Sequence, residues 1–290
     1  WDGADILSMK RTSFLVLDEA DRMLDMGFEK DILKIVESLP KTRQTLFFTA
    51  TWPRVVQRIA DMILNKPIRI NIGKQGELVA NRDVQQVVEI VDQREKYEKL
   101  KAILKDCAPT DKVIVFCNRK TECYDLENAL WNEKLGVGAI HGDKTQDERE
   151  WTLGCFKSGE SPILIATDVA ARGLDIKGVD RVINYDFPTQ VEDYVHRIGR
   201  TGRAGAKGIA NTFFTQADSR CSRDLVKIMK EANQTVSPDL EEMGRNCRGG
   251  GKGWGKGGKG KGGKGGKGKG KGGKGGGWGG GWSGGGRGRW

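Results

Sequence analysis

The hydrophobic positions of residues 1–72 fall into short continuous runs that alternate with longer amphipathic stretches. Short apolar runs rich in β-branched and aromatic residues are typical of strands, and the amphipathic stretches between them are typical of helices. The pattern predicts strands at 14–17, 45–48 and 68–72, and helices at about 29–38 and 53–64. Such alternation indicates parallel βαβ units, but this block is too short for a complete doubly wound domain.

A second, longer block repeats the alternation over residues 84–236. Residues 73–83, between the two blocks, are polar and contain two glycines, so we expect an interdomain linker there. The pattern predicts strands near 86–91, 112–116, 137–140, 162–166, 181–184 and 208–213, and helices near 94–105, 120–132, 145–157, 190–198 and 217–232. The predicted fold class is therefore α/β, with two parallel-sheet domains of which the first is incomplete.

After Pro238 the apolar pattern fades, and we assign residues 237–290 to a tail. Residues 248–290 consist of 26 Gly, 9 Lys, 3 Arg, 4 Trp and 1 Ser. Such a composition offers too little apolar surface to offset the entropy of ordering the chain. We therefore expect a disordered, basic Gly/Lys-rich tail.

The charge is divided unevenly between this tail and the rest of the chain. The net charge is +10, and from Arg245 onward there are 13 basic and no acidic residues, which leaves 36 basic and 39 acidic residues before it. A basic tail on a near-neutral body indicates a polyanionic partner, and the spaced tryptophans of the tail can stack on unpaired bases. The alternative is a flexible appendage that serves solubility.

Other compositional features exclude several classes of protein. The six cysteines form no C-x-x-C pair and there are only two histidines, so a structural zinc site is not expected. Reduced thiols suit the nucleus or the cytoplasm. No apolar run approaches the roughly 20 residues needed to cross a bilayer, so no membrane partner is expected. Residue 1 is Trp and no secretory signal precedes the first predicted strand, which suggests a fragment cut at its N-terminus.

Three carboxylates, those of Asp18, Glu19 and Asp21, follow the first predicted strand. The carboxyl ends of parallel strands open into the ligand crevice, where clustered acids can hold Mg²⁺ and polarise a water molecule. The alternative is a helix that starts here, because acids are favoured in a first helical turn.

Further motifs follow this acidic tetrad, Asp18-Glu19-Ala20-Asp21, in a fixed order. They are Thr49-Ala50-Thr51, the run from Ala166 to Asp175, and the run from His196 to Arg203. In content and spacing, residues 1–235 resemble the DEAD-box ATP-dependent RNA helicases of superfamily 2. Trp52-Pro53 and residues 141–144 resemble the subgroup active in ribosomal and messenger RNA processing. The resemblance implies two RecA-like domains, at 1–72 (the second half of the first domain) and 84–236, with ATP and Mg²⁺ as cofactors.

The resemblance also implies roles for the first-domain residues. Asp18 would hold Mg²⁺ through water, and Glu19 would position or deprotonate the attacking water. Asp21 would link to Thr49 and Thr51 and, across the domains, to His196. The family usually has Ser where Thr49 stands, but threonine keeps the hydroxyl group.

In the second domain, Arg197, Arg200 and Arg203 form the strongest cationic cluster outside the tail. Three arginines at a solvated helix end would be the alternative, but the two Gly-Arg steps let guanidinium groups approach a phosphate closely. The resemblance assigns Arg200 and Arg203 to the γ-phosphate as arginine fingers. It also places Gly173 and Asp175 at the bound ATP.

A third set of residues is assigned to RNA by the resemblance. Thr167 would donate to an RNA phosphate, and Gln146 and Arg149 would contact the RNA backbone at the start of a helix. Arg119 stands where the family commonly has Thr, and it could reach a phosphate as a charge. Asp168, between these motifs, is at least as well explained as a helix cap. Contacts to phosphate and sugar predict binding of RNA without sequence preference.

The phosphate-binding motif GxxxxGK followed by Ser or Thr is absent from the 290 residues. Two hypotheses follow. The chain is part of an ATP-dependent RNA helicase that separates strands or remodels RNA–protein complexes with protein partners, and by itself it is inactive. Alternatively, it is an RNA-binding and interaction module without useful ATPase activity. A DNA helicase of the same two-domain plan is less well supported by the tetrad and the tail.

Overall fold

In the residues that the structure describes, two parallel β-sheets, one of two strands and one of six, form the frame of the fold. The computed structural model describes residues 8–71, 80–171, 176, 178–203 and 205–247. We call residues 8–71 the first lobe and residues 80–247 the second lobe. The α/β class and the division into two parallel-sheet domains are as the sequence predicts.

The first lobe contains two strands and three helices. They are β1 (Phe14–Leu17), α1 (Ala20–Asp25), α2 (Glu29–Glu37), β2 (Gln44–Phe47) and α3 (Arg54–Ile63). Strand β1 pairs with β2 in parallel, and the helices close a small core under the sheet around Leu17, Ile32 and Ile59. This pairing brings the loops after β1 and after β2 to one edge, where the acids and the Thr49–Thr51 segment lie.

The third strand predicted in this lobe, at 68–72, is wrong over residues 68–71, which form neither strand nor helix. Residue 72 lies outside the described residues. The alternation of Ile68, Arg69 and Ile70 suits a strand, but Ile68 and Ile70 are exposed. A strand is stable only when its backbone groups pair with a neighbour, and the described residues provide none here.

The second lobe is longer and more regular. Its elements are β3 (Val84–Ile90), α4 (Lys96–Asp106), β4 (Val113–Cys117), α5 (Lys120–Asn132), β5 (Val137–Ile140), α6 (Gln146–Ser158), β6 (Ile163–Thr167), α7 (Asp168–Ala171), β7 (Arg181–Asn184), α8 (Val191–Ile198), β8 (Gly208–Phe214), a 3₁₀ helix (Gln216–Cys221), α9 (Ser222–Glu231) and α10 (Pro238–Asn246). All six strands run in parallel, in the order β3-β8-β7-β4-β6-β5.

Helices cover both faces of this sheet, which explains why its central strands are apolar throughout. Every residue of β4 is buried. Ile114 and Phe116 belong to the core on one face, whereas Val113, Val115 and Cys117 belong to the core on the other. The alternation of side chains along a strand therefore builds two separate cores from one continuous hydrophobic run.

The boundaries of the second lobe differ from the predicted ones at both ends. Ala80, assigned to the linker, is buried in the core, and Asn81 Nδ2 donates a hydrogen bond to the Gly202 carbonyl at 2.7 Å. At the other end, the prediction of a disordered tail from residue 237 is wrong over 237–247, since α10 lies there. Residues 248–290 and most of the predicted linker lie outside the described residues.

Helix α10 is stabilised by a capping residue and a buried leucine, although its apolar pattern is too short to predict a helix. The Ser237 hydroxyl accepts a hydrogen bond from the Leu240 amide at 3.3 Å, and Pro238 occupies the first turn. Leu240 is fully buried against Leu225 and Met229 of α9. One cap and one anchoring leucine thus attach the helix to the core.

Within the described ranges, no helix combines the length and the apolarity that crossing a membrane requires.

We expect that Leu240→Ala lowers the free energy of unfolding by about 2–5 kcal/mol, because it leaves a cavity in the core. Urea denaturation followed by circular dichroism measures this. Glu242→Ala on the exposed side of the same helix is the matched control and should change it by less than about 0.5 kcal/mol. Equal stability of Leu240→Ala and the unaltered chain would show that α10 does not contribute to the core.

Candidate functional site

The acidic tetrad lies at the carboxyl end of β1, where the chain turns sharply into α1. Glu19 adopts left-handed backbone angles, φ 51° and ψ 44°, and its N–H donates to Asp18 Oδ1 at 2.9 Å. Its carbonyl accepts hydrogen bonds from Arg22 and Met23, while the Ala20 amide donates to the Phe48 carbonyl. A non-glycine residue in this conformation costs about 1–3 kcal/mol and persists only where its surroundings hold it. The turn leaves the Asp18 side chain exposed at the edge of the sheet.

Asp21 joins the two loops of the first lobe. Its Oδ2 accepts hydrogen bonds from the Thr51 amide at 2.9 Å and from the Thr51 hydroxyl at 2.7 Å. The Thr49 hydroxyl donates to the Thr51 carbonyl at 2.7 Å. The three residues assigned to this link by the resemblance are therefore brought together. Threonine at position 49 makes its bond through the hydroxyl that it shares with serine.

His196 lies at the junction of the lobes, but no hydrogen bond joins it to Asp21 among the described residues. Its Nε2 is buried without a hydrogen-bond partner there. Burial, together with the charges of Arg22 and Arg200, lowers the pKa of His196, while Glu19 and Asp21 act in the opposite direction. The imidazole is therefore neutral at pH 7. The acids of the first lobe and an arginine of the second act electrostatically on this one side chain.

Arg22 and Asp193 form an ion pair between the lobes that the sequence reasoning missed. Arg22 lies directly after the tetrad, and Asp193 lies in the first turn of α8, three residues before His196. Arg22 is buried and also bonds Asp25 at 3.2 Å. No sequence signal connects two residues so far apart in the chain, although the position of Arg22 beside the tetrad could have drawn attention to it.

Arg197 does not belong to the cationic cluster that the sequence suggested. It is only 2% exposed. Its Nε and Nη2 donate to the two carboxylate oxygens of Asp168 at 2.7 and 2.6 Å, and Nη1 donates to the Asp186 carbonyl at 2.7 Å. Asp168 thus holds Arg197 inside the second lobe and connects α7 to α8. Both residues therefore have a structural role in this lobe.

The remaining two arginines of the cluster stay at the surface. Arg200 is half-buried and Arg203 is exposed, with its Nε donating to the Gly199 carbonyl at 2.7 Å. Gly202 between them has φ +68°, and a Cβ atom there would lie 2.6 Å from Val84 Cγ2. Only glycine fits this turn, so it fixes the path of the chain from Arg200 to Arg203. Gly173 and Asp175 lie outside the described residues.

The residues assigned to RNA follow three neighbouring strands of the second lobe. Arg119 comes after β4, Thr167 ends β6, and Gln146 and Arg149 begin the helix after β5. Strands β4 and β5 flank β6, so these positions share one edge of the sheet. The Arg149 Nη2 donates to the Ala170 carbonyl at 3.3 Å, which holds it beside the end of β6.

The start of α6 is less suited to a phosphate than the sequence suggested. Thr145 and Glu148 form a reciprocal capping box, and Asp147 and Glu148 place two acids in the first turn. The capping box occupies one free N–H group, and the acids repel an anion. Any contact to phosphate therefore depends on the side chains of Gln146 and Arg149 rather than on the helix terminus.

A buried charge network supports the loop that carries Arg119, and no sequence pattern predicts it. Lys96 Nζ bonds Asp186 Oδ1 at 2.7 Å, and Asp186 Oδ2 accepts from the Asn118 amide at 3.0 Å. Burial and the neighbouring Asp186 carboxylate raise the pKa of Glu122 to about 7. Burial opposes ionisation of Asp186, but its bonds to Glu122, Asn118 and Lys96 prevail and lower its pKa.

The first-lobe edge fits a magnesium ion that is held partly by a phosphate ligand. Asp18 is exposed, with one carboxylate oxygen accepting from Glu19 N–H. Among the described residues there is no group of three or more His, Cys, Asp or Glu side chains that could hold a metal ion alone. Magnesium commonly binds through one or two carboxylates, water and substrate phosphates, so a single exposed aspartate is sufficient.

Comparison with known proteins matches both lobes. The family model "DEAD/DEAH box helicase" matches residues 3–59, and "Helicase conserved C-terminal domain" matches residues 95–205. DEAD-box ATP-dependent RNA helicase 40 of Oryza sativa subsp. japonica is 56% identical over 247 residues, covering 85% of this chain and 31% of the rice protein. ATP-dependent RNA helicase-like protein DB10 of Nicotiana sylvestris is 53% identical over 263 residues, covering 87% of this chain and 43% of that protein.

Among solved structures, S. cerevisiae Dbp5 bound to RNA and ADP BeF3 superimposes with a TM-score of 0.69 at 29% identity, covering 84% of this chain and 64% of Dbp5. The chain spans less than half the length of either plant relative. Its two family-model matches fall in order on the two lobes that carry the tetrad and the arginines, and relatives more than half identical extend across both. This chain therefore belongs to the DEAD-box RNA helicase family.

Proposed function

We propose that the chain provides the acid-bearing and arginine-bearing sides of the ATP site in an RNA helicase that unwinds RNA locally or remodels RNA–protein complexes. The observation that carries the proposal is the Arg22–Asp193 ion pair. It joins α1, which begins in the tetrad, to α8, which precedes Arg200. The likeness to Dbp5 bound to RNA and ADP BeF3 supports the same arrangement.

On the first lobe, the acids would prepare hydrolysis. Asp18 would hold Mg²⁺ through water, and the ion, when bound, neutralises charge on the phosphates. Glu19 would orient the attacking water and accept its proton, and the left-handed turn of its backbone lies at the edge of the sheet directly after Asp18. Asp21 would not react, because both of its oxygens accept hydrogen bonds from Thr51 and Arg22. Its role is to hold the Thr51 loop against the tetrad.

On the second lobe, Arg200 and Arg203 would stabilise the charge that develops on the transferred phosphoryl group. They can do so only when the lobes are closed, since the acids and the arginines lie on different lobes. Neutral His196 lies between the two sets and accommodates both Arg22 and Arg200 without adding a third positive charge. Closure would thus be the step that assembles the site.

Binding of RNA would favour the same closure. Arg119, Gln146, Arg149 and Thr167 lie at one edge of the second sheet and would contact the sugar–phosphate backbone. Arg197 of α8 is bonded to Asp168, which directly follows Thr167. This contact would connect the RNA-binding edge to Arg200 and Arg203, which follow α8. The buried Lys96–Asp186 pair fixes the loop of Arg119 in the same way.

A second candidate function is an RNA-binding module without ATPase activity. The observation that favours it is the absence of GxxxxGK followed by Ser or Thr from the 290 residues, because that loop supplies most contacts to the triphosphate. For either function we propose a nuclear or cytoplasmic location, supported by six free cysteines. Other components of RNA–protein complexes are the proposed protein partners.

The ATPase proposal is tested in a chimera in which part of a DEAD-box relative, fused before residue 1, supplies a phosphate-binding loop. We expect RNA-stimulated phosphate release, and we expect Glu19→Gln to lower it at least 100-fold, since a general base contributes about 10²–10⁴. Glu37→Gln, an exposed glutamate of α2, is the control. The unaltered 290-residue chain should bind RNA but release negligible phosphate. Appreciable release that survives Glu19→Gln would refute the role of Glu19.

The ion pair between the lobes is tested by charge exchange in the same chimera. Asp193→Arg should lower RNA-stimulated turnover at least tenfold, because it confronts a buried Arg22 with a like charge. The exchange of both residues, Arg22→Asp with Asp193→Arg, should recover much of the loss, and Glu192→Arg should have little effect. In the 290-residue chain, hydrogen–deuterium exchange in α1 and α8 should rise in the Asp193→Arg variant. It should return towards the level of the unaltered chain in the double variant. If the double variant turns over no faster than Asp193→Arg alone, the pairing is contradicted.

The contribution of the tail is tested by deleting residues 248–290, which removes 12 basic residues and keeps α10. The slope of the logarithm of RNA affinity against the logarithm of salt concentration should flatten by at least about 2, at roughly 0.7 per lost phosphate contact. A filter-binding titration with oligouridylate measures the slope. The same slope in both chains would show that the tail does not bind RNA.

A further inference from the structure

A groove on the second lobe is lined by none of the residues proposed above to contact ATP or RNA. It lies between α5 and α6 over the edge strand β5 and has a volume of about 1020 Å³. We call it the tryptophan groove, because Trp131 of α5 and Trp151 of α6 line it. They are 66% and 71% exposed, more than any other large aromatic side chain in the part of the chain that the structure describes.

Two exposed indoles at one groove require an explanation. Each offers a large apolar surface that folding has left in water, and a contiguous exposed apolar patch commonly marks an interaction site. Val137 and Leu135 add apolar lining between them. The groove therefore has the surface of a binding site for another molecule.

The charges around the indoles select the kind of molecule. Four acids line the groove and two lysines accompany them: Glu127, Asp147, Glu148, Glu160, Lys134 and Lys144. Lys144 is already paired with Glu127 at 3.3 Å. The side chain of Asp147 makes no hydrogen bond or ion pair within the described ranges. The net negative charge repels RNA and attracts cationic side chains.

An added β-strand does not fit this edge of the sheet. Glu127 Oε1 accepts a hydrogen bond from the Ala139 amide at 2.9 Å and so occupies a backbone donor of the edge strand β5. Thr152 of α6 also covers Gly138, where a Cβ atom would lie 2.7 Å from Thr152 Cγ2. An occupant must therefore bind through side chains rather than by backbone pairing.

Helix geometry separates the groove from the residues assigned to RNA. Asp147, Trp151 and Cys155 recur every four residues and share one face of α6. Arg149 points to another face, since it donates to the Ala170 carbonyl of α7. An occupant of the groove therefore leaves the edge that carries Arg119, Arg149 and Thr167 accessible.

We propose that the tryptophan groove is a docking site for an arginine-bearing basic segment of a protein partner. A guanidinium group stacks on an indole face through cation–π attraction and is more weakly hydrated than an ammonium group, so arginine suits two exposed tryptophans beside acids better than lysine does. Asp147 and Glu160 would attract the other basic side chains of the segment, which are not stacked on an indole. The site serves to hold a partner on the second lobe while RNA is bound.

The test uses the full 290-residue chain and a fluorescein-labelled peptide of alternating arginine and glycine, with binding followed by fluorescence anisotropy at physiological salt. Trp151→Ala and Trp131→Ala should each weaken peptide binding about tenfold. Glu160→Lys, in the loop beside the groove, should weaken it severalfold. A peptide with glutamate in place of arginine should not bind.

Matched controls lie on the first lobe. Phe28→Ala removes another exposed aromatic ring, and Asp61→Lys reverses another exposed acid. Both should leave the peptide affinity within twofold of the unaltered chain. Oligouridylate affinity should be unchanged by the groove variants, and circular dichroism should be the same for all of them.

Three results would overturn the proposal. The first is that the unaltered chain fails to bind the arginine peptide, and the second is that the groove variants bind it as tightly as the controls do. If Trp131→Ala and Trp151→Ala weaken oligouridylate binding and spare peptide binding, the groove takes RNA instead.

Discussion

The ion pair between Arg22 and Asp193 is the contact on which the functional arrangement depends. In the proposed function neither lobe by itself would carry a complete set of groups for phosphoryl transfer, since the acids belong to one lobe and the arginines to the other. A buried guanidinium that loses its carboxylate partner is strongly unfavourable, so this pair favours lobes in contact over separated lobes. The charges that converge on His196 show how close the two sets then lie.

The second lobe is organised so that its own buried charges hold the surface groups in place. Arg197 spans Asp168, Asn118 and the carbonyl of Asp186, which connects the ends of three neighbouring strands. Lys96 completes the neutralisation of Asp186. Arg197, Lys96 and Asp186 are buried, and through their contacts they support the loops that carry Arg119 and Thr167. The residues proposed to contact RNA are thus supported by hydrogen-bonded charges in the interior of the lobe.

The limits of prediction from sequence are clearest where one residue type has two roles. Arg197, Arg200 and Arg203 look equivalent in the sequence, but Arg197 lies within α8 facing the core and the other two follow the end of the helix. Similarly, α10 offers only Leu240 and Met243 as apolar signals, too few to distinguish a helix from the glycine-rich tail that follows. The residues at 68–71 show the opposite error, because strand propensity without a pairing neighbour gives no strand.

The sequence by itself determined the α/β class, the order of most strands and helices, and the positions of the tetrad and the arginines, because hydrophobic periodicity and short motifs are local properties of the chain. The tertiary structure decided which charges face each other. The pairing of Arg22 with Asp193, the burial of Arg197 and the groove between Trp131 and Trp151 each join residues on different elements. Such contacts depend on how the elements pack, and no local pattern encodes them.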